Sequence, residues 1–205
     1  IGSQVNKIDS ARHCALFAVQ IDKAIKPFEL VNWQSDIKIS VAEMEYKICS
    51  LPGVFNHGTL DLGTKILLEN LPEIKTGRLL DFGCGAGVIG CYLGLKNSDC
   101  EIVMSDVSAL AVHCSRESAK INNLNVKVIA SNGLMDVQGK FSAVYTNPPF
   151  HTGIQTDYSV TEGFISQLKK YLTNSGTLTL VANKFLRYSD LLEQRFSGVN
   201  LTAET

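Results

Sequence analysis

The stretch Asp81-Phe-Gly83-Cys84-Gly85-Ala86-Gly87 constrains the fold more than any other part of this chain. It follows a short apolar strand, Arg78-Leu-Leu-Asp81, and the glycine cluster 83–90 opens a helix. Such a junction sets a helix N-terminus and backbone N–H groups at the strand's carboxyl end, and glycines let a ligand come close to the backbone. The alternation continues downstream. Glu101-Ile-Val-Met-Ser-Asp106 reads as a second strand, and Ser108 as the N-cap of a helix to about Asn122 with Leu110, Cys114 and Ile121 on one face. Val126 to Ala130, Ala143 to Thr146 and Gly176 to Ala182 read as the third, fourth and fifth strands. Between the last two, Val160, Phe164, Leu168 and Leu172 recur every four residues, as a buried helix face requires. Strands interleaved with helices predict an α/β fold, a mostly parallel sheet with helices on both faces. A helix around Leu186 to Phe196 and a sixth strand from Val199 are expected near the end, with a closing strand missing.

Upstream, Leu51-Pro-Gly-Val-Phe55 and Asn56-His57-Gly58 are turn chemistry, followed by a helical stretch from Leu60 to Leu71. Residues 1–50 contain the only Trp, Trp33, and no recognisable site. They are expected to be the tail of a missing N-terminal domain and a linker, with 51–205 as the domain that carries the site. The first residue is not Met, which fits a piece of something longer.

Nineteen basic residues stand against twenty acidic ones, so the chain lacks the basic excess of an autonomous nucleic-acid binder. Affinity for nucleic acid then needs a local patch or sequence outside this chain. No apolar run approaches the roughly 20 residues that span a bilayer, and no secretory signal opens the chain, so a soluble, cytoplasmic protein is expected. The six cysteines form no CxxC pair, which predicts free thiols and no metal site.

Two ligands compete for the glycine loop. Gly85-Ala-Gly87-Val-Ile-Gly90 satisfies GxGxxG, and Asp106 lies 21 residues beyond Gly85, which permits a dinucleotide and an oxidoreductase. Asp81 followed at once by GxGxG instead resembles the Rossmann-like S-adenosylmethionine-dependent methyltransferases. That resemblance implies cofactor contacts from Asp81, Gly83, Cys84, Gly85 and Gly87 beside the methionine moiety. It further implies Asp106, with Val107 next to it, on the ribose, and Asn132 with Gly133 at the adenine. The ribose role has a physical basis, since a carboxylate accepts two hydroxyl protons at once. Cys84 reads as a small loop filler offering its backbone N–H; no His nearby would activate it.

Asn147-Pro148-Pro149-Phe150 follows the fourth strand directly. Two prolines force the chain out of the sheet with a stiff backbone. The Asn147 side-chain oxygen and the Pro148 carbonyl suit the two hydrogens of a planar exocyclic amine, and Phe150 suits its ring. An amine so held aims its nitrogen lone pair at an electrophilic methyl, and transfer proceeds by positioning and charge complementarity.

This tetrapeptide is shared by adenine-N6, glutamine-amide and guanine-N2 methyltransferases. Leu51-Pro-Gly-Val-Phe55, Leu60-Asp61 with Gly63-Thr64, Asn147-Pro-Pro-Phe-His151 with Gly153 and Gln155-Thr156, and Val181-Ala-Asn183-Lys-Phe-Leu186 together resemble the ribosomal RNA small subunit methyltransferase C family from about Leu51 onward. The resemblance implies S-adenosylmethionine as cofactor and methylation of a guanine N2 in 16S ribosomal RNA or the small subunit. It implies Asn147 at both amine and cofactor, Phe55 and Asp61 on the cofactor side of the pocket, and a monomer with a preceding RNA-recognition domain. His57 and His151 read as loop residues, and Lys169 and Lys170 as a solvated helix face. A non-catalytic RNA-binding scaffold remains a further alternative.

Overall fold

The computed structural model describes residues 4–20, 27–55, 57–72, 76–148, 159–182 and 188–203. The chain divides into two compact units between Trp33 and Gln34, not at residue 50. In the first unit, β1 (Gln4–Ala11) and β2 (Cys14–Gln20) form an antiparallel hairpin with a bulge between Lys7 and Asp9. Its two-residue turn, Arg12-His13, has positive φ at both positions, the twist that a tight hairpin requires. A 3-10 turn, Leu30–Trp33, follows, with Trp33 stacked on Phe28.

The second unit begins with another hairpin, β3 (Ser35–Val41) and β4 (Met44–Ser50). Apolar residues alternate with polar ones along both strands, and Ile37 pairs with Ile48 and Ile39 with Tyr46 on one face. Ile39, Val41, Tyr46, Ile48 and Cys49 are buried. These residues are therefore part of the core and not a linker, because their alternating apolar face is covered.

Then come α1 (Leu62–Glu69), β5 (Gly77–Phe82), α2 (Val88–Lys96), β6 (Cys100–Asp106), α3 (Ala109–Ile121), β7 (Lys127–Ala130), β8 (Phe141–Thr146), α4 (Ser159–Leu168), β9 (Leu172–Leu180) and α5 (Tyr188–Arg195). The five strands from β5 to β9 make one parallel sheet in the order β7-β6-β5-β8-β9. Alternation along the strands sends Leu80, Val103 and Val144 to a core with Phe164, Ile165 and Leu168 of α4 and Tyr188 of α5. Asp81 and Met104 face the other way, toward α2: Asp81 bonds Gly90, and a Cβ on Gly90 would overlap the Met104 side chain. Helices thus cover both faces, as the interleaved pattern predicts.

Three details depart from expectation. Leu172 belongs to β9, which starts four residues before Gly176, although the residue is buried as its spacing implied. Leu110 is exposed, and the covered face of α3 instead carries Ala111, Val112, Cys114, Ser115, Ser118 and Ala119. Small residues fit there because β4 and the glycine loop lie close. No strand follows Leu180 among the described residues, so the sixth strand from Val199 is absent there. No helix is long and apolar enough to cross a membrane among the residues described.

Candidate functional site

From β5 the chain steps outward through β6 and β7, then returns to the other flank of β5 as β8. In an open α/β sheet this reversal leaves a crevice beyond the strands' carboxyl ends. Thr146 holds the two central ends together, donating its hydroxyl to the Phe82 carbonyl at 2.7 Å.

The glycine loop forms the crevice floor. Gly83 and Gly85 have φ of +69° and +53°, a left-handed backbone that favours glycine, and nothing lies within 4 Å of where a Cβ would stand. Four of the loop's amides are nevertheless engaged. Gly83 and Cys84 donate to the Ser105 carbonyl at 2.8 and 3.0 Å, Gly87 to the Cys84 carbonyl at 2.8 Å, and Gly85 to Asp106 Oδ2 at 2.9 Å. The loop therefore presents close backbone surface, not the free donors expected of it at Cys84. A pyrophosphate on a GxGxxG turn depends on such donors, which weighs against the dinucleotide alternative.

Asp106 is preorganised as an acceptor. Its Oδ2 takes the Gly85 N–H and its Oδ1 the Ser108 N–H at 2.8 Å, and each oxygen keeps lone-pair capacity for a further hydroxyl. Ser131 N–H donates to the Asp106 carbonyl at 2.9 Å, which brings the end of β7 beside it. Val107 and Asn132 are exposed there, and Gly133 is left-handed at φ +59°.

Asp81, expected to touch the cofactor, has no exposed surface and lies outside the cleft lining. Its Oδ2 accepts the Gly90 N–H at 2.8 Å near the start of α2, so its role is internal. Burial pushes its carboxyl up to about 7, opposed by the Gly90 hydrogen bond and reinforced by the Asp106 charge. Cys84 is buried, with Ser115 Oγ 3.1 Å from its sulfur, and burial together with the Asp81 charge raises its thiol well above the ordinary range. A thiol held in its protonated form in this way is poorly suited to act as a nucleophile.

An open cleft spans this floor. Gly83, Cys84 and Gly85 line it, as do Phe55, Asp61 and Asn147, all expected at the site. Gly87 lies behind them as the left-handed N-cap of α2. The Asn147 Nδ2 donates to Asp61 Oδ2 at 2.7 Å and to Thr64 Oγ1 at 2.9 Å. Asp61 is also the N-cap of α1, its Oδ2 accepting from Thr64 N–H at 2.8 Å. Pro148 is buried; Pro149, Phe150 and His151 lie outside the described residues. His57 Nδ1 lies 2.7 Å from the Ser50 hydroxyl at the end of β4. Lys169 and Lys170 are exposed.

Sequence reasoning missed the cleft's hairpin wall, Ile37, Ile39, Ile48 and Ser50, and Thr64 on α1. The period-2 alternation of residues 36–41 and 45–48 was the available signal. The wall is held by α3: Cys49 N–H donates to Ser118 Oγ at 2.9 Å, and that hydroxyl donates to the Ala86 carbonyl of the loop at 2.7 Å. Asn122 pairs with the Lys47 backbone in both directions, at 3.2 and 2.6 Å.

A family model described as "Methyltransferase small domain" matches residues 45–205, and "Methyltransferase small domain N-terminal" matches 1–36. Ribosomal RNA small subunit methyltransferase C of Pseudoalteromonas atlantica is 58% identical over 201 residues, 98% of this chain and 59% of that one. The protein of the same name from Pseudoalteromonas translucida is 50% identical over 94% of this chain and 57% of its own length. The chain thus spans somewhat over half the length of these curated relatives. A solved structure of the T. thermophilus 16S rRNA N2 G1207 methyltransferase (RsmC), in complex with AdoMet and guanosine, superposes with a TM-score of 0.83 at 25% identity, over 95% of this chain and 54% of that one.

Proposed function

We propose that this chain, which belongs to the methyltransferase small domain family, carries the catalytic site for methylating the N2 amine of a guanine in small-subunit ribosomal RNA. The observation that carries the reading is the meeting of Asn147 and the Gly83–Gly85 loop across one cleft at the central strand ends. The names of the relatives and the AdoMet and guanosine held by the T. thermophilus protein support it.

S-adenosylmethionine, when bound, supplies a methyl group on a sulfonium, electrophilic without further activation. The residues present fit it: open space beside Gly83 and Gly85 admits a ligand against the backbone, and Asp106 has an acceptor oxygen for each of two ribose hydroxyls. In this reading Asn132 and Gly133 meet the adenine, Val107 stays beside the ribose, and Phe55 borders the methionine end. Asn147 and the Pro148 carbonyl hold the amine hydrogens, with Pro149 and Phe150 bounding the base. With the cofactor bound, the nitrogen so held would lie in line with the methyl; the new N–C bond would form as the sulfonium S–C bond breaks, S-adenosylhomocysteine would leave as the thioether, and the nitrogen's extra proton would pass to solvent. No perturbed base is needed beforehand. Guanine N2 must be unstacked to reach such a pocket, a task for the RNA-recognition domain to which residues 1–33 would belong. We place the protein in the cytoplasm as a monomer.

The test is incubation of the protein with 16S rRNA, or with small subunits, and methyl-labelled S-adenosylmethionine, followed by mass spectrometry of nucleosides. Label in N2-methylguanosine is expected. Label in adenosine, or in protein only, would transfer the site to an adenine-N6 or glutamine-amide enzyme. Calorimetry with S-adenosylhomocysteine against NAD separates a methyltransferase from an oxidoreductase.

A further inference from the structure

We infer that Asp61 is a positioning residue that fixes which way the Asn147 amide faces; this rests on the proposed methyl transfer at Asn147. An asparagine amide has two ends of nearly equal size and opposite hydrogen-bonding character, and only the oxygen end can receive an amine hydrogen. Asp61 decides between them. A carboxylate has no hydrogen to give, so the amide atom 2.7 Å from Asp61 Oδ2 must be the nitrogen. Oδ1 is then directed away from Asp61. Thr64 Oγ1, at 2.9 Å, cannot make this choice, since a hydroxyl both donates and accepts.

The same carboxylate oxygen is fixed by the fold. Asp61 Oδ2 also accepts the Thr64 N–H at 2.8 Å as the N-cap of α1, so the helix start sets where the Asn147 nitrogen must go. Gly63 keeps the space beside it: a Cβ there would stand 3.1 Å from Asp61 Oδ2 and 3.3 Å from Val181 Cγ2. A link between residues 86 positions apart thus runs through one oxygen atom.

One oxygen serving both bonds makes the test specific. Asp61→Asn keeps an N-cap, and its amide oxygen takes the capping position, still able to accept from Asn147. Asp61→Ser also caps well, but its shorter hydroxyl withdraws from Asn147 and leaves the amide free to turn. Expected results are a methyl-transfer kcat within about threefold of wild type for Asp61→Asn and about 100-fold lower for Asp61→Ser, the scale of a misplaced reacting group. Affinity for S-adenosylhomocysteine and melting temperature should hold in both. Gly63→Ala, which crowds the shared oxygen, should lower kcat in the same direction. In an Asn147→Ala background, Asp61→Ser should have no further effect.

Loss of cofactor affinity in Asp61→Asn would show that the charge binds ligand and would overturn the inference. So would full turnover by Asp61→Ser. In 15N-labelled protein, the Asn147 side-chain NH2 should stay protected from hydrogen exchange in Asp61→Asn, which keeps the acceptor, and lose that protection in Asp61→Ser. A wild-type chain that transfers no methyl to RNA removes the functional reading alone, and the exchange protection still decides the amide's orientation.

Discussion

The Asp81 carboxylate, wholly buried at the end of β5, accepts the Gly90 N–H at 2.8 Å, while its other oxygen has no partner among the described residues. In the folded chain it keeps its proton to about pH 7, against 3.8 for an ordinary aspartate. Its contribution to stability is therefore fully present below the lower value and is lost as pH rises toward the upper one, because only the folded state holds the proton in that window. Asp81→Asn retains an acceptor for Gly90 and cannot ionise. The melting temperature of wild type minus that of the variant should fall between about pH 5 and 7.5. A difference that does not change with pH contradicts the buried titration.

Asp106→Ala should weaken S-adenosylhomocysteine binding by about 100-fold or more, since two hydrogen bonds to a charged acceptor contribute about 1.5–3 kcal/mol each. Titration calorimetry measures this. Affinity that survives the change would move the ribose elsewhere.

Asn147→Ala should lower single-turnover methyl transfer by roughly 100-fold, about 3 kcal/mol of transition-state stabilisation, by analogy with loss of one preorganised polar group. Equal turnover in variant and wild type would remove Asn147 from the chemistry.

Ser118→Ala should destabilise the fold by about 1–3 kcal/mol, because the Cys49 N–H and Ala86 carbonyl lose their shared partner inside the protein. Thermal melting should register a drop of about 2–4 °C per kcal/mol. An unchanged melting temperature would mean that the hairpin is held without this hydroxyl.

Much of this was legible in the residues because the signals were local. Ser108 is the N-cap of α3 and Asn122 its C-cap, as their residue types and spacing imply. The order of strands and helices followed from apolar runs broken by glycine and asparagine. The β3–β4 hairpin was not legible as a cleft wall, since what makes it one is Ser118 and Asn122, about 70 positions away on α3. Period-2 alternation announces a strand but not its neighbour. Asp81 misled for a related reason: a carboxylate at a strand's end reads alike whether it faces a ligand or the helix beneath. Leu110 was grouped with Cys114 and Ile121 on one face of α3 by spacing, whereas close approach of β4 and the loop favours Ala111, Ser115 and Ser118.

The amides at Gly83, Cys84, Gly85 and Gly87 all have acceptors at home. A cell is crowded with ATP and oxidised nicotinamide dinucleotide, each trailing phosphates that seek out bare peptide hydrogens at a strand-to-helix turn. Phosphate groups would have to break an internal hydrogen bond at each of these four positions, three of them made within the main chain and one with the Asp106 side chain.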